Sequence, residues 1–293
     1  MWRVDRLACV RVTLLGTGGP RPDPDRAGPA TLVQHGGLNL LFDAGRGVAQ
    51  QLAKAGVELP DLDAVFITHH HFDHTGGLGD LLMAAWNLGR DTSLQLFGPI
   101  GTEETARALL ERVYWRDISY RIAEEKAMGR ILEHPSEMLE VSDVVDGVVD
   151  LAEGTSVTVG EVEHGGSALG LSAEDWTAVG YRVQVGSKSV AISGDAVAGR
   201  ALDTLAADVN ALVMCAYLAQ SEIVDRYGRF LVDNVIAGAP QAAAIAAQAR
   251  AGRLLLTHIR QKSPEDLERM LSETAAAFPG EVIVGHDLLS IDL

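Results

Sequence analysis

With 293 residues, 47% of them hydrophobic, the chain can bury a sizeable core; its length allows two domains, but large α/β units also run to this size as one. Forty acidic against 24 basic residues give a formal charge of −16, which repels polyanions, and no Lys/Arg run offers a local exception; RNA or DNA as a general substrate is therefore disfavoured. Cys9 and Cys215 cannot build a disulfide framework, no run of 18 or more apolar residues occurs, and charges interrupt Met1 to Val10, so neither a membrane span nor a secretory signal is expected and a cytoplasmic protein is the default.

In chain order, Val10 to Leu15 reads as a strand, and Gly16-Thr-Gly-Gly19 as a tight turn, since it lacks the spacing of a phosphate-cradling loop. Ala30 to Asp43 reads as a hairpin turning at Gly36-Gly37, followed by a helix over Gly47 to Ala55 and a strand at Ala64 to Thr68. Leu78 to Leu88 and Thr102 to Tyr114 read as helices. Trp115 to Asp150 mixes aromatic, Met and acidic residues with weak periodicity, and we read it, with Ser167 to Trp176, as an insertion forming the walls of a substrate pocket. Gly180 to Asp195 is a second hairpin, turning at Gly186-Ser187, again followed by a helical pattern (Ala198 to Leu205) and a strand (Ala211 to Met214). Pro240 to Arg250 and Ser263 to Phe278 read as outer helices, the first a possible subunit contact. The repeated order places Asp43 and Asp195 in matching positions and implies two similar halves, two sheets between outer helices.

The chemistry lies at His69-His-His-Phe-Asp-His74, directly after the apolar run ending at Thr68. Alternate residues of an extended segment share a face, so His69 and His71 can meet one cation while Asp73 and His74 turn toward a second. His70, pointing the other way, reads as a packed side chain.

Thr68-His-x-His-x-Asp-His-x-x-Gly77 resembles the signature of the metallo-β-lactamase superfamily, and His164 (in Glu-Val-Glu-His-Gly-Gly), Asp195 (Ile-Ser-Gly-Asp-Ala) and His258 (Leu-Leu-Leu-Thr-His-Ile-Arg) follow in that family's order. The resemblance implies a four-layer αββα sandwich over the whole chain as one domain, and a homodimer. It also implies two divalent metal ions, zinc first, manganese or iron otherwise. One would be held by His69, His71 and His164, the other by Asp73, His74 and His258, with Asp195 bridging. Asp43 reads as a structural carboxylate beside the site. Two such cations would turn water into an attacking hydroxide, with Asp73 as catalytic carboxylate orienting it or taking its proton. Trp86, Trp115, Trp176 and Tyr217 are the expected substrate contacts.

Leu-Leu-Gly-Thr-Gly, Leu-Leu-Phe-Asp-Ala-Gly-Arg-Gly and Gly-Tyr-Arg-Val look most like the branch holding ribonuclease Z, zinc arylsulfatases and small phosphodiesterases. The hairpin Gly180 to Asp195 leaves no room after His164 for a tRNA-gripping arm, and Met214-Cys-Ala-Tyr217 stands where tRNA-processing members carry His-Glu-Ala-Thr. A leaving alkoxide needs a proton, worth about 10² to 10⁴ in rate, whereas a phenolate needs it less. The expected reaction is therefore hydrolysis of a small-molecule ester, an aryl sulfate, phosphodiester or lactone, with tRNA 3′ processing as the alternative. A diiron redox protein is disfavoured because such relatives place Glu where His71 stands.

Overall fold

The computed structural model describes residues 9–293; most of the charged N-terminal stretch weighed above as a signal lies outside them. Fourteen strands are present among the described residues: β1 (Arg11–Gly16), β2 (Ala30–His35), β3 (Leu38–Phe42), β4 (Ala64–Phe66), β5 (Leu94–Gly98), β6 (Leu139–Asp143), β7 (Gly147–Asp150), β8 (Thr155–Glu161), β9 (Val179–Val185), β10 (Lys188–Ile192), β11 (Ala211–Cys215), β12 (Arg253–Thr257), β13 (Glu281–Val284) and β14 (Leu289–Asp292). The helices are α1 (Val48–Lys54), α2 (Phe72–Thr75), α3 (Leu78–Asn87), α4 (Thr102–Ala108), α5 (Trp115–Ala127), α6 (Gly166–Leu169), α7 (Arg200–Ala206), α8 (Arg226–Asn234), α9 (Ala239–Ala249) and α10 (Pro264–Ala277).

Two seven-stranded sheets form, in the orders β14-β1-β2-β3-β4-β5-β6 and β13-β12-β11-β10-β9-β8-β7. Side chains alternate across each strand, and the sequence uses that alternation on both faces. Leu40 and Phe42 face the inter-sheet core while Leu41 faces the helices; Ala64 and Phe66 point inward and Val65 outward. In the second sheet Val190 and Ile192 point inward with Val213 and Leu255, and Ala191, Leu212, Met214, Leu254 and Leu256 lie under helices. Phe66 stacks at 5.0 Å on both Phe42 and Phe97, with the Tyr181 ring edge-on at 5.4 Å. The result is the expected four-layer αββα sandwich.

The halves repeat as read: hairpin β2-β3 is followed by parallel β4, and hairpin β9-β10 by parallel β11. The register corrects the pairing of Asp43 with Asp195. Asp43 N–H donates to Phe66 O (2.8 Å), and the equivalent bond in the second half runs from Ser193 N–H to Val213 O (3.0 Å). Asp43 Oδ1 accepts from Thr68 N–H (2.7 Å) just as Ser193 Oγ accepts from Cys215 N–H (3.3 Å). Asp43 thus corresponds to Ser193, and Asp195 lies two residues further along the loop.

Within 115–150, α5 packs Ile118 and Ile122 on the first helical layer, and β6 and β7 form edge strands of the two sheets. Their exposure at those edges accounts for the weak periodicity there. Five alanines of α9, Ala239, Ala242, Ala243, Ala246 and Ala249, are buried in the chain's own core, which accounts for the Ala-rich pattern without a subunit contact. Within Arg226–Ala249 an 18-residue window reaches mean hydropathy 1.3, enough by length and composition to cross a membrane, but half of that window is buried and the span comprises two helices broken at Gly238 before Pro240.

Candidate metal centre

The donors gather at one edge of the sandwich, at the carboxyl ends of strands running the same way: His69 to His74 after β4, His164 after β8, Asp195 after β10 and His258 after β12. After β4 the chain stays extended to His71 and then winds into the short α2, which turns Asp73 and His74 inward and leaves Phe72 66% exposed.

Ligand-type atoms fall into two groups, each with members within 4.8 Å of one another: His69, His71, His164 and Asp195 in one, Asp73, His74 and His258 in the other. His71 Nδ1 lies 3.1 Å from His69 Nε2 and 3.2 Å from His164 Nε2. His258 Nε2 lies 3.1 Å from Asp73 Oδ2. Asp195 stands between the groups, with Oδ1 3.3 Å from His74 Nε2 and Oδ2 3.3 Å from His258 Nε2 and 3.9 Å from His69 Nε2. All seven side chains named for the metals in the sequence reading therefore meet.

Hydrogen bonds made behind the donor rings fix which ring nitrogen faces inward. Asp43 accepts from His74 Nδ1–H (2.8 Å) and from the Thr68 hydroxyl (2.9 Å), whose oxygen in turn accepts from His69 Nδ1–H (2.9 Å). His164 Nδ1–H donates to Val235 O. In each case Nε2 is turned toward the site, and in His69 and His164 it presents its lone pair there. Asp43 thus sets two imidazoles, a larger part than the sequence suggested for it. His258 turns Nε2 inward and packs its ring over Gly19, where a Cβ would lie 2.8 Å from His258 Cε1. The Gly16 to Gly19 turn is therefore needed for close approach. His258 and Asp43 adopt left-handed backbone conformations, φ 53° and 61°, strain of a kind concentrated at functional sites.

The electrostatics suit cations. Burial, then the neighbouring imidazoles, pushes His69 well below its ordinary value and His71 down to about 4; burial also lowers His164. These rings are neutral, as metal ligands must be. Burial would raise Asp195, but His258 and His74 hold its carboxyl well below the usual range. Burial would lower His74, but Asp195 and Asp43 on either side hold it well above. His74 Nε2 and Asp195 Oδ1 are buried without a hydrogen-bond partner, and such orphans cost about 1–3 kcal/mol each unless something else satisfies them. Convergent lone pairs from five imidazoles and two carboxylates fit divalent cations.

The expected substrate contacts separate. Trp176 lies on the site, its ring 4.5 Å from that of His71, with Nε1–H donating to His164 O (2.9 Å). Tyr217 packs 5.9 Å from the His258 ring. Trp86, only 4% exposed, is a core residue bonded to Glu133 O, and Trp115 lies under the Arg116 guanidinium at the start of α5; neither ring contacts the donors among the described residues. Period alone did not distinguish Trp86 from a pocket residue, because the core stripe of α3 contains it. His70 bonds Thr102 Oγ1 (3.0 Å), packed as expected.

The family description "beta-lactamase superfamily domain" matches residues 38–259. A ribonuclease Z of Mycobacterium marinum is 37% identical over 293 residues, 97% of this chain and 99% of the relative. That of Mycobacterium bovis is 35% identical, over 97% and 98%. Among solved structures, the metallo-β-lactamase fold protein YhfI of Bacillus subtilis superposes with TM-score 0.73 at 20% identity, over 97% of this chain and 99% of that one. The short form of human tRNase Z superposes with TM-score 0.68 at 22% identity, over 96% and 98%.

These full-length ribonuclease relatives overturn the expectation of a small-molecule ester substrate with nucleic acid disfavoured. Net charge sums the whole surface, whereas phosphate responds to local potential. Here the Arg46 guanidinium donates to the carbonyls of Gly19 (2.8 Å) and Arg21 (3.1 Å), beside the His258 ring that packs on Gly19, and it has no ion-pair partner among the described residues. Nor does the missing arm separate this chain from relatives whose whole length it matches. The chain belongs to the metallo-β-lactamase superfamily, and within it to the ribonuclease Z family.

Proposed function

We propose that this protein is a metal-dependent RNA phosphodiesterase that trims precursor tRNA at its 3′ side. The observation that carries the reading is the pair of donor groups sharing Asp195, in a chain 37% identical to a ribonuclease Z from end to end. His69, His71 and His164 would hold one divalent cation, Asp73, His74 and His258 the other, and Asp195 both. The imidazole-rich set suits zinc, with manganese or iron(II) as alternatives according to supply. When bound, such cations lower the pKa of water from about 15.7 toward 7 and draw charge from a phosphoryl oxygen.

The chain's own groups do the positioning. Asp73 Oδ2 faces His258 Nε2 at 3.1 Å, leaving Oδ1 to orient the attacking water and accept its proton. Burial would raise the Asp73 carboxyl, but His258 and His74 outweigh it and keep it ionised. Asp43 and Thr68 hold the His69 and His74 rings by Nδ1, so the inward orientation of Nε2 needs no reorganisation. Trp176 and Tyr217 wall the site and would contact the RNA. A cytoplasmic setting, where precursor RNA is available, fits this substrate.

The test is cleavage of 3′-extended precursor tRNA by zinc-loaded protein, with EDTA-treated protein and His71→Ala as controls. Cutting at the 3′ side that both controls abolish supports the reading. Failure on RNA by a sample shown to hold two metal ions refutes it.

A further inference from the structure

Phe72 is the residue that neither fold nor metal binding requires. Its sequence neighbours His71 and Asp73 belong to the two donor groups, and α2 buries Asp73 and His74 while leaving the phenyl ring 66% exposed. Isolated exposed aromatics are ordinary, so exposure alone says nothing. Position supplies the second point. His71 is itself exposed at the rim, and the Trp176 ring covers it at 4.5 Å, so aromatic surface borders the rim at His71 both through its neighbour in sequence and through space. Phe72 can be no further from the donors than one residue's span, about 3.8 Å of backbone plus its own side chain.

We propose that Phe72 is a stacking platform for the nucleobase flanking the cleaved phosphate. This rests on the RNA phosphodiesterase reading: with the phosphate seated at the donors, the adjacent nucleotide lies at the rim. Every base has a π face, so such a platform grips RNA without reading its sequence. It also gives an acidic protein a hold on nucleic acid that does not depend on added cations.

The experiment compares oligoribonucleotides with a 3′ trailer that carry either a base or an abasic ribose, placed in turn 5′ and 3′ of the cleaved phosphate. For the wild type, kcat/KM is higher with the base at one of these positions, by about 5- to 150-fold, the range that one stacking contact gives. In Phe72→Leu, which keeps an apolar side chain but no π face, that ratio falls toward one, and Phe72→Trp restores it. An unchanged ratio in Phe72→Leu overturns the proposal, as does an equal loss on base and abasic substrates, which would mean the ring only shapes the site. If wild-type protein holding two metal ions cuts none of these RNAs, the parent reading falls and this one with it; if it cuts them all without regard to the base, only the platform falls.

Discussion

Replacing Asp43 with asparagine isolates what one buried carboxylate does for the metal centre. The change is isosteric, and asparagine tolerates the φ of 61° at this position, so the backbone is not the confounding factor. Both carboxylate oxygens now accept: Oδ1 from Thr68 N–H at 2.7 Å, Oδ2 from His74 Nδ1–H at 2.8 Å. An amide keeps only one of these two bonds. If its NH2 faces Thr68 N–H, two donors oppose each other in a buried site. If it faces His74, the proton must move to Nε2, which then points at Asp195 Oδ1, 3.3 Å away, and can no longer ligate. Leaving one buried donor unmet costs about 1–3 kcal/mol, and loss of the group that orients a ligating imidazole typically lowers metal affinity about 10- to 100-fold. In Asp43→Asn we therefore expect weaker binding of the cation at the Asp73, His74 and His258 group, with partial recovery of activity at raised zinc. Competition titration against a chromogenic chelator measures it, alongside thermal unfolding in EDTA. Two wild-type affinities together with an unshifted melting curve would refute the assigned role of Asp43.

Two further substitutions probe different layers. Gly19→Ala puts a methyl carbon 2.8 Å from His258 Cε1, well inside the roughly 3.5–4.0 Å of a carbon–carbon contact, so the ring must shift. Atomic absorption on the purified variant is expected to give nearer one metal ion per chain than two, and a full complement counts against the turn's role. Phe66→Ala empties the centre of the stack on Phe42 and Phe97 and should cost about 3–5 kcal/mol in urea unfolding. A loss below 1 kcal/mol would mean the inter-sheet core is not as described.

Four of the seven donors were legible as chemistry from spacing alone, because they lie within six consecutive positions after a strand. His164, Asp195 and His258 carry no local signal, and it was the order of family motifs that marked them. The layered fold was equally readable, since the order of hairpin, helix and strand occurs twice and two such halves imply two sheets between outer helices. What the sequence could not rank was anything set by distance across the fold. The matching of Asp43 with Asp195 slipped by two residues because a loop hides register, which only the hydrogen bonds to Phe66 and Val213 define. Trp86 and Trp176 look alike as letters, yet one is core and the other lies on the histidines. Net charge misled about substrate for the same reason: a sum over the chain keeps no record of where Arg46 stands. Residue identity and spacing thus determined which groups could do the chemistry. Tertiary structure decided which of them face each other, because hydrogen bonds, coordination and screened charge act over a few ångströms in space and take no account of separation along the chain.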